Sequence, residues 1–262
     1  MSIPRDSYVT VPGFGAHKIN SAYRRGTLDA KPTLAARGIN EPELEWLARQ
    51  AGARKLVHTV EQLTGVTLDH YAEINLAGFY DITQAVGGVP VCLTSPVHDS
   101  YSGANFPAGP QTVSGAAALA FVRQRHGLPR GDLDRIVRQQ AYLSGLAHRL
   151  LSGGVLANPN TLAAMREAIA RYVVIDPGWD LAGLIEQAHS MSEESVRFLT
   201  IPTGRTNLST PDGEAVQVDH AQVQQFMAQL TNPGDHTLNP PVSTAPATPA
   251  IAPIAAPMPC IN

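Results

Sequence analysis

The sequence predicts an α/β layered fold, and two observations carry that expectation. Helix-forming runs alternate along the chain with short β-branched runs such as Val89-Pro-Val-Cys-Leu93 and Tyr172-Val-Val-Ile175, an order that lays helices against a sheet. Hydrophobic residues make up 44% of the 262 residues and charged residues 16%, enough apolar material for a sizeable core and too little charge for general disorder. One domain over residues 1–231, followed by a tail over 232–262, is the expected organisation.

Taken in order, Tyr8-Val-Thr-Val11 reads as the end of a strand entering a loop at Pro12-Gly-Phe-Gly15, and Lys18 to Arg25 as a short polar helix or turn. Asn40-Glu-Pro-Glu43 offers a cap followed by early acids that suit the positive end of a helix dipole. The first long helix is therefore expected after Asn40, with Leu44, Leu47, Ala48, Leu56, Val60 and Leu63 apolar until Gly65. Tyr71 to Ile74 has strand character, and Leu76 to Val86 reads as a helix that Gly87-Gly88 breaks before the strand Val89 to Leu93. Ser114 is the expected cap of a helix that delivers Arg123 and Arg125 at or just past its end. Further helices are expected over Asp132 to Leu151, Asn160 to Arg171, Leu181 to Met191 and Asp219 to Leu230, with strands at Tyr172 to Ile175 and Arg197 to Pro202. Beyond Asn232 the chain is rich in Pro, Ala and Thr, the composition of an extended, disordered tail.

With 19 basic and 22 acidic residues the formal charge is -3, so no overall positive field draws the chain to nucleic acid, and any anion site must be local. The absence of a basic stripe or helix-turn-helix pattern argues against a transcriptional regulator. No stretch reaches the roughly 18 apolar residues of a membrane helix, and the N-terminus lacks a signal pattern. Met1 runs straight into Ser-Ile-Pro-Arg-Asp and a strand end, so further N-terminal sequence is expected to precede it. Cys92 and Cys260 fit neither a zinc site nor a CxxC pair. Either they form one disulfide in an oxidising compartment, or Cys92 is a buried small hydrophobe and Cys260 a loose thiol.

The most informative stretch is Arg123-Gln-Arg125, followed after a Gly/Pro loop by Asp132-Leu-Asp-Arg135-Ile-Val-Arg138-Gln139-Gln140. On a helix, Arg135, Arg138, Gln139 and Tyr142 share one face, while Ile136, Leu143, Ala147 and Leu150 form the opposing apolar stripe. One face is expected to be core and the other a cationic wall. Planar guanidinium forks match phosphate oxygens and keep their charge in a partly dry pocket, so a phosphate-handling site is the sharp reading and solvated arginines the bland one. Arg5 is either another phosphate contact or half of a loop pair with Asp6. Lys18, with Asn20 and Tyr23, supplies anion and hydroxyl contacts or lies on a solvated turn. The glycine pairs Gly13 with Gly15 and Gly87 with Gly88 fit no phosphate cradle and read as turns. His98, Asp99 and His126 show no metal spacing, and Ser102 and Ser114 lie in no nucleophile elbow. Phe79, Tyr80 and Phe121 read as core, or as the lining of a lipid tunnel.

Together, Ser2-Ile-Pro-Arg5-Asp6, Lys18-Ile-Asn20-Ser-Ala-Tyr23, Gly87-Gly-Val89, Phe106-Pro-Ala-Gly109, Ala118-Leu-Ala-Phe-Val-Arg123-Gln-Arg125 and the Asp132 to Gln140 motif resemble the LytR-CpsA-Psr family, in an actinobacterial form. The resemblance implies a three-layer α/β/α sandwich with a central mixed sheet, on the outer face of the bacterial membrane. It implies a phosphotransferase that takes a polyprenyl-pyrophosphate-linked glycopolymer, such as arabinogalactan, and attaches it to peptidoglycan through a phosphodiester. The membrane headgroup region is then a further partner. By motif position, Arg135 and Gln139 correspond to catalytic residues, and Arg5, Arg123, Arg125, Lys18 and Arg138 to pyrophosphate-binding ones. Magnesium is the implied cofactor, but the family's acidic metal ligands belong to motifs N-terminal to Ser2-Ile-Pro-Arg5-Asp6 and are absent here. A non-catalytic polyprenyl-pyrophosphate-binding protein is therefore the alternative.

Overall fold

The computed structural model describes residues 1–152, 158–176, 178–180, 183, 197–231 and 259–262. Its strands are β1 (Ser7–Val11), β2 (Gly15–Lys18), β3 (Ala72–Ile74), β4 (Val89–Leu93), β5 (Val97–Asp99), β6 (Ala104–Phe106), β7 (Gly109–Val113), β8 (Val173–Ile175), β9 (Leu208–Thr210) and β10 (Gly213–Gln217). The helices are α1 (Ala22–Ala36), α2 (Glu43–Thr64), α3 (Leu76–Ala85), α4 (Gly115–Arg123), α5 (Asp132–Ser152), α6 (Pro159–Tyr172) and α7 (His220–Thr231). Contacts divide the chain into two compact units, each with its own apolar cluster. One unit holds Ile3–Tyr71 and Ile201–Ala247, the other Met1–Ser2, Ala72–Thr200 and Thr248–Asn262.

In the Ile3–Tyr71 unit the sheet order is β2-β1-β10-β9. β1 pairs antiparallel with β2, Tyr8 opposite Lys18, and parallel with β10, Ser7 opposite Val216. The loop expected at Pro12 to Gly15 is the turn of this hairpin, where Gly13 and Gly15 have φ of 82° and 83°, a region open to glycine. Val9, Ile19, Leu63, Ile201 and Val223 form the core beneath. The short helix expected at Lys18 runs on to Ala36, past Pro32, because tertiary packing on α2 outweighs weak local preference. The two helices meet closely at Gly26 and Gly52: a Cβ on Gly52 would lie 2.6 Å from the Tyr23 carbonyl oxygen. α2 carries its expected acids, Glu43 and Glu45, in the first turn and ends at Gly65, but Asn40 does not cap it. The Asn40 side chain donates to the Gly38 carbonyl instead, at 3.2 Å.

The Ala72–Thr200 unit is organised around β4. Val89, Val91, Cys92 and Leu93 are all buried, as a strand covered on both faces requires. β4 pairs antiparallel with β7, Val89 opposite Val113 and Leu93 opposite Gly109. Phe106 and Phe121 meet edge to face within the same core, their centroids 5.8 Å apart. α5 packs onto β4 at Gly145, where an added Cβ would lie 2.1 Å from the Pro90 carbonyl oxygen. Gly87 and Gly88, with φ of 74° and 84°, break α3 as expected, and Arg149 Nε of α5 donates to the Val86 carbonyl there at 3.0 Å. Ser114 precedes α4 without a side-chain cap bond; the Gly115 N–H donates to the buried Thr83 hydroxyl at 2.7 Å instead.

The chain terminus is fixed to this strand. Cys92 and Cys260 form a disulfide, and Ile261 pairs in parallel with Leu93, its N–H donating to the Cys92 carbonyl at 3.0 Å. The tail expected to be disordered over 232–262 is thus ordered over its last four residues, while 232–258 lie outside the described residues. So does the helix expected from Leu181 to Met191, apart from Gly183. The strand expected at Arg197 to Pro202 is reduced to an isolated bridge between Thr200 and Ser2. Among the described residues no helix is long and apolar enough to cross a membrane.

Two outcomes are expected from this packing. Cys260→Ser opens a disulfide that spans 168 residues and lowers stability by about 2–5 kcal/mol, read from denaturant unfolding with and without reductant. Gly145→Ala forces α5 off the Pro90 carbonyl and destabilises by about 1–3 kcal/mol, read as a lower Tm; an unchanged Tm would show that the helix yields freely.

Candidate functional site

Two helices of the Ala72–Thr200 unit position the cationic segment. α4 ends on Arg123, an exposed cation at the negative end of the helix dipole. Gln124 then turns extended, buried to 3%, and its Nε2 donates to the His126 carbonyl at 3.1 Å. Arg125 and His126 emerge at the surface, and α5 begins six residues later at Asp132.

Asp132 is the joint of the site. Its Oδ1 is paired with Arg125 Nη2 at 3.5 Å and with Arg135 Nη2. The two arginines reach it from different segments, and the shared carboxylate offsets the repulsion between them. Asp134 holds Arg130 in the same manner, accepting from Nε at 2.7 Å and from the backbone N–H at 2.8 Å. Gln139 Nε2 donates to the Val122 carbonyl at 3.2 Å and ties α5 to the last turn of α4.

The expected orientation of α5 needs correcting. The face carrying Arg135, Arg138 and Tyr142 is not an outer wall: these residues are 8%, 0% and 2% exposed, and the opposing stripe is covered as well at Ile136 and Leu150, with Leu143 43% exposed. Periodicity separates two faces of a helix but does not say whether the rest of the protein covers one of them or both. Arg138 lies 5.4 Å from the centre of the Phe121 ring, and its three guanidinium nitrogens have no hydrogen-bond partner among the described residues. Burial pulls its pKa down to about 10, against the opposing charge of Asp134. Burial likewise pushes the Tyr142 phenol well above its ordinary range. Phe79 packs at a tilt against Tyr142 with centroids 5.1 Å apart, and Phe121 lies in the same core. Gln140, named in the motif without a role, reaches Thr200 Oγ1 at 2.9 Å and Ser2 Oγ at 3.1 Å.

Arg5 and Lys18 belong to the other unit and form a cluster of their own. Asp6 Oδ1 accepts from Asn20 Nδ2 at 2.9 Å and lies 3.9 Å from Arg5 Nε and 4.0 Å from Lys18 Nζ. The loop pair of Arg5 and Asp6 is therefore formed, with the arginine side chain 55% exposed. The Lys18 backbone N–H donates to Asp212, and together with His17 it holds that carboxyl below its usual range.

No three His, Cys, Asp or Glu side chains converge as a cation site among the described residues, and Asp132 and Asp134 are both engaged by arginines. The donors present do not fit the magnesium ion that the family resemblance implies. Sequence reading treats Asp99, Ser102 and His126 as unconnected, yet the fold assembles them. Asp99, 5% exposed, accepts from Ser102 Oγ at 2.7 Å and from the Tyr101 N–H at 3.0 Å. These bonds hold its carboxyl below the usual range, the Ser102 hydroxyl contributing most. His126 Nδ1 lies 3.9 Å away, and its ring stacks on Tyr101. No spacing rule links residues that come from a hairpin and from the end of a helix. The Ser102 hydroxyl is committed to Asp99, not to a general base.

Comparison with known proteins agrees with the motifs. Cell wall biosynthesis protein LcpA of Corynebacterium glutamicum is 46% identical over 231 residues, spanning 87% of this chain and 45% of that protein. A polyisoprenyl-teichoic acid–peptidoglycan teichoic acid transferase, TagU of Oceanobacillus iheyensis, is 36% identical over 152 residues, spanning 58% of this chain and 41% of that one. The chain thus spans less than half the length of these relatives. The crystal structure of Bacillus subtilis TagV matches with a TM-score of 0.65 at 22% identity, covering 87% of this chain and 80% of that one. At that identity the likeness shows the fold, the expected α/β/α class with a mixed sheet. The LytR_cpsA_psr family model matches residues 1–232. This chain belongs to the LytR_cpsA_psr family.

Proposed function

We propose that this chain carries the transfer site of a phosphotransferase that moves a cell-wall glycopolymer from a polyprenyl pyrophosphate onto a peptidoglycan hydroxyl. The observation that carries the reading is Asp132 holding Arg125 and Arg135 together. Two guanidinium groups on one carboxylate form a clamp already spaced for a small anion, and planar forks recognise phosphate oxygens bidentately. The names of the relatives, a cell wall biosynthesis protein and a teichoic acid transferase, support the substrate class.

In this reading the acceptor hydroxyl attacks the phosphorus that bears the glycan. The new P–O bond makes the phosphodiester, the bond to the bridging oxygen breaks, and polyprenyl monophosphate leaves with that oxygen. The hydroxyl proton passes to solvent. Charge builds on the bridging oxygen as it departs, and fixed cations aimed there lower the barrier without reorganising. Arg125 and Arg135 take that role by exchanging Asp132 for the pyrophosphate, and Arg123 adds charge at the exposed end of α4. Arg138 acts from below: fully buried, it raises the positive potential of the site without touching the ligand. Gln139 fixes the angle between α4 and α5 through the Val122 carbonyl. Arg5 and Lys18 are assigned to the pyrophosphate by motif position alone. Magnesium would add charge neutralisation, but no step is assigned to it, because the side chains of the described residues do not fit it. In this reading the polyprenyl carrier keeps the reaction at a membrane surface, beside lipid headgroups, and the peptidoglycan acceptor puts it on the extracytoplasmic side.

Arg135→Ala is expected to abolish binding of a polyprenyl pyrophosphate in native mass spectrometry and to lower transfer of a lipid-linked glycan to peptidoglycan by about 10²–10³-fold. Unchanged binding and turnover in a folded variant would overturn the assignment. Wild-type binding without turnover in magnesium would favour the binding-only alternative. Asp132→Asn removes the carboxylate that Arg125 and Arg135 share and is expected to cost about 3 kcal/mol. Added pyrophosphate then restores more Tm to the variant than it adds to the wild type, as differential scanning fluorimetry would show; equal gains would mean that the anion does not take the place of Asp132.

A further inference from the structure

Beside the arginine clamp stands a feature that the transfer chemistry leaves unused. Tyr101 is 82% exposed, yet its ring is not loose. It stacks on the His126 ring with centroids 4.2 Å apart and an interplanar angle of 28°. Each half of the pair is anchored from behind. The Tyr101 N–H and the Ser102 hydroxyl both donate to buried Asp99, at 3.0 Å and 2.7 Å. The His126 carbonyl accepts from buried Gln124 at 3.1 Å. One ring face is spent on the histidine, and the exposure of Tyr101 leaves the other to solvent. A large aromatic ring kept in water, and fixed there by buried polar groups, is a preorganised contact surface.

Resting on the proposed function, we infer that the Tyr101–His126 pair is the platform that binds the saccharide next to the pyrophosphate. Position supports this occupant. His126 follows Arg125 directly in the chain, and consecutive Cα atoms lie about 3.8 Å apart, the scale of the step from a phosphate to the sugar it carries. Chemistry supports it as well. A pyranose ring has a face of C–H groups rimmed by hydroxyls, and it matches a flat apolar ring with polar atoms at its edge. The Tyr101 phenol and the His126 imidazole supply those polar atoms, and an aromatic side chain offers large contact area with few torsions to freeze. A polyprenyl chain, with no hydroxyls, gains nothing from that rim, so the platform selects for the glycan end of the donor.

The test is calorimetric titration of the full chain with two probes, geranylgeranyl pyrophosphate and geranylgeranyl-pyrophosphoryl-N-acetylglucosamine. The wild type is expected to bind the sugar-bearing probe about fivefold more tightly, the size of one aromatic stacking contact. Tyr101→Ala and His126→Ala lose that increment while their affinity for the bare probe stays unchanged, and Tyr101→Phe and Tyr101→Trp retain most of it. Because Tyr101 is largely in solvent, its replacement is tolerated by the fold, and circular dichroism confirms this for each variant. Equal affinity of the wild type for both probes, or an increment that survives Tyr101→Ala, overturns the platform and leaves the proposed function standing. Binding of neither probe overturns the proposed function, and the platform with it.

Discussion

The burial of β4 is the constraint on which the cationic site depends. Val89, Val91, Cys92 and Leu93 are all withdrawn from water, and several elements around the site attach to that strand. β7 extends it, Ile261 pairs with Leu93, the disulfide fixes Cys92, and α5 lies on it at Gly145. Because a Cβ at Gly145 would meet the Pro90 carbonyl oxygen, the helix has little freedom to roll. Its rotation is therefore set by apolar packing, and Arg135 and Arg138, about two to three turns before Gly145, take whatever direction that rotation gives them. Close packing thus decides an electrostatic outcome.

That outcome is unusual for a helix so rich in charge. Withdrawing a guanidinium group from water is costly unless an anion or hydrogen bonds replace the lost hydration. The chain accommodates the arginines on and before α5 in three ways. Arg130 and Arg135 each have a carboxylate one turn away, in Asp134 and Asp132. Arg125 shares Asp132 from outside the helix. Among the described residues Arg138 meets the face of Phe121 and the more distant charge of Asp134, and burial draws its pKa downward. A segment that gathers arginines around shared carboxylates is complementary to a multiply charged anion. That complementarity links the energetics of the fold to the phosphoryl chemistry proposed for it.

Much of the Ala72–Thr200 unit was legible in the sequence. The Gly87-Gly88 break, the β4 run and the start of α5 at Asp132 follow from local rules: glycine at positive φ, a short β-branched run and early acids at a helix N-terminus. The hairpin of β1 and β2 was half legible, since its first strand and its glycines were visible but its return strand, Gly15–Lys18, lacks β-branched residues. α1 was cut short because Pro32 and a weakly amphipathic pattern hide a helix that its packing on α2 sustains. The bridge at Thr200 was over-read as a strand because apolar content near Phe198 and Ile201 does not guarantee a partner along the whole run.

The sequence by itself determined the class of elements, the motifs that mark the LytR_cpsA_psr family and the inventory of arginines, because each is written in local spacing. Only the tertiary structure decided which arginines share a carboxylate, that Arg138 is enclosed while Leu143 is exposed, and that Tyr101 comes to rest on His126. Those outcomes depend on how far each helix rolls on its sheet and on which residues the loops return to one another. Local periodicity constrains neither, because both are set by packing between segments distant in the chain.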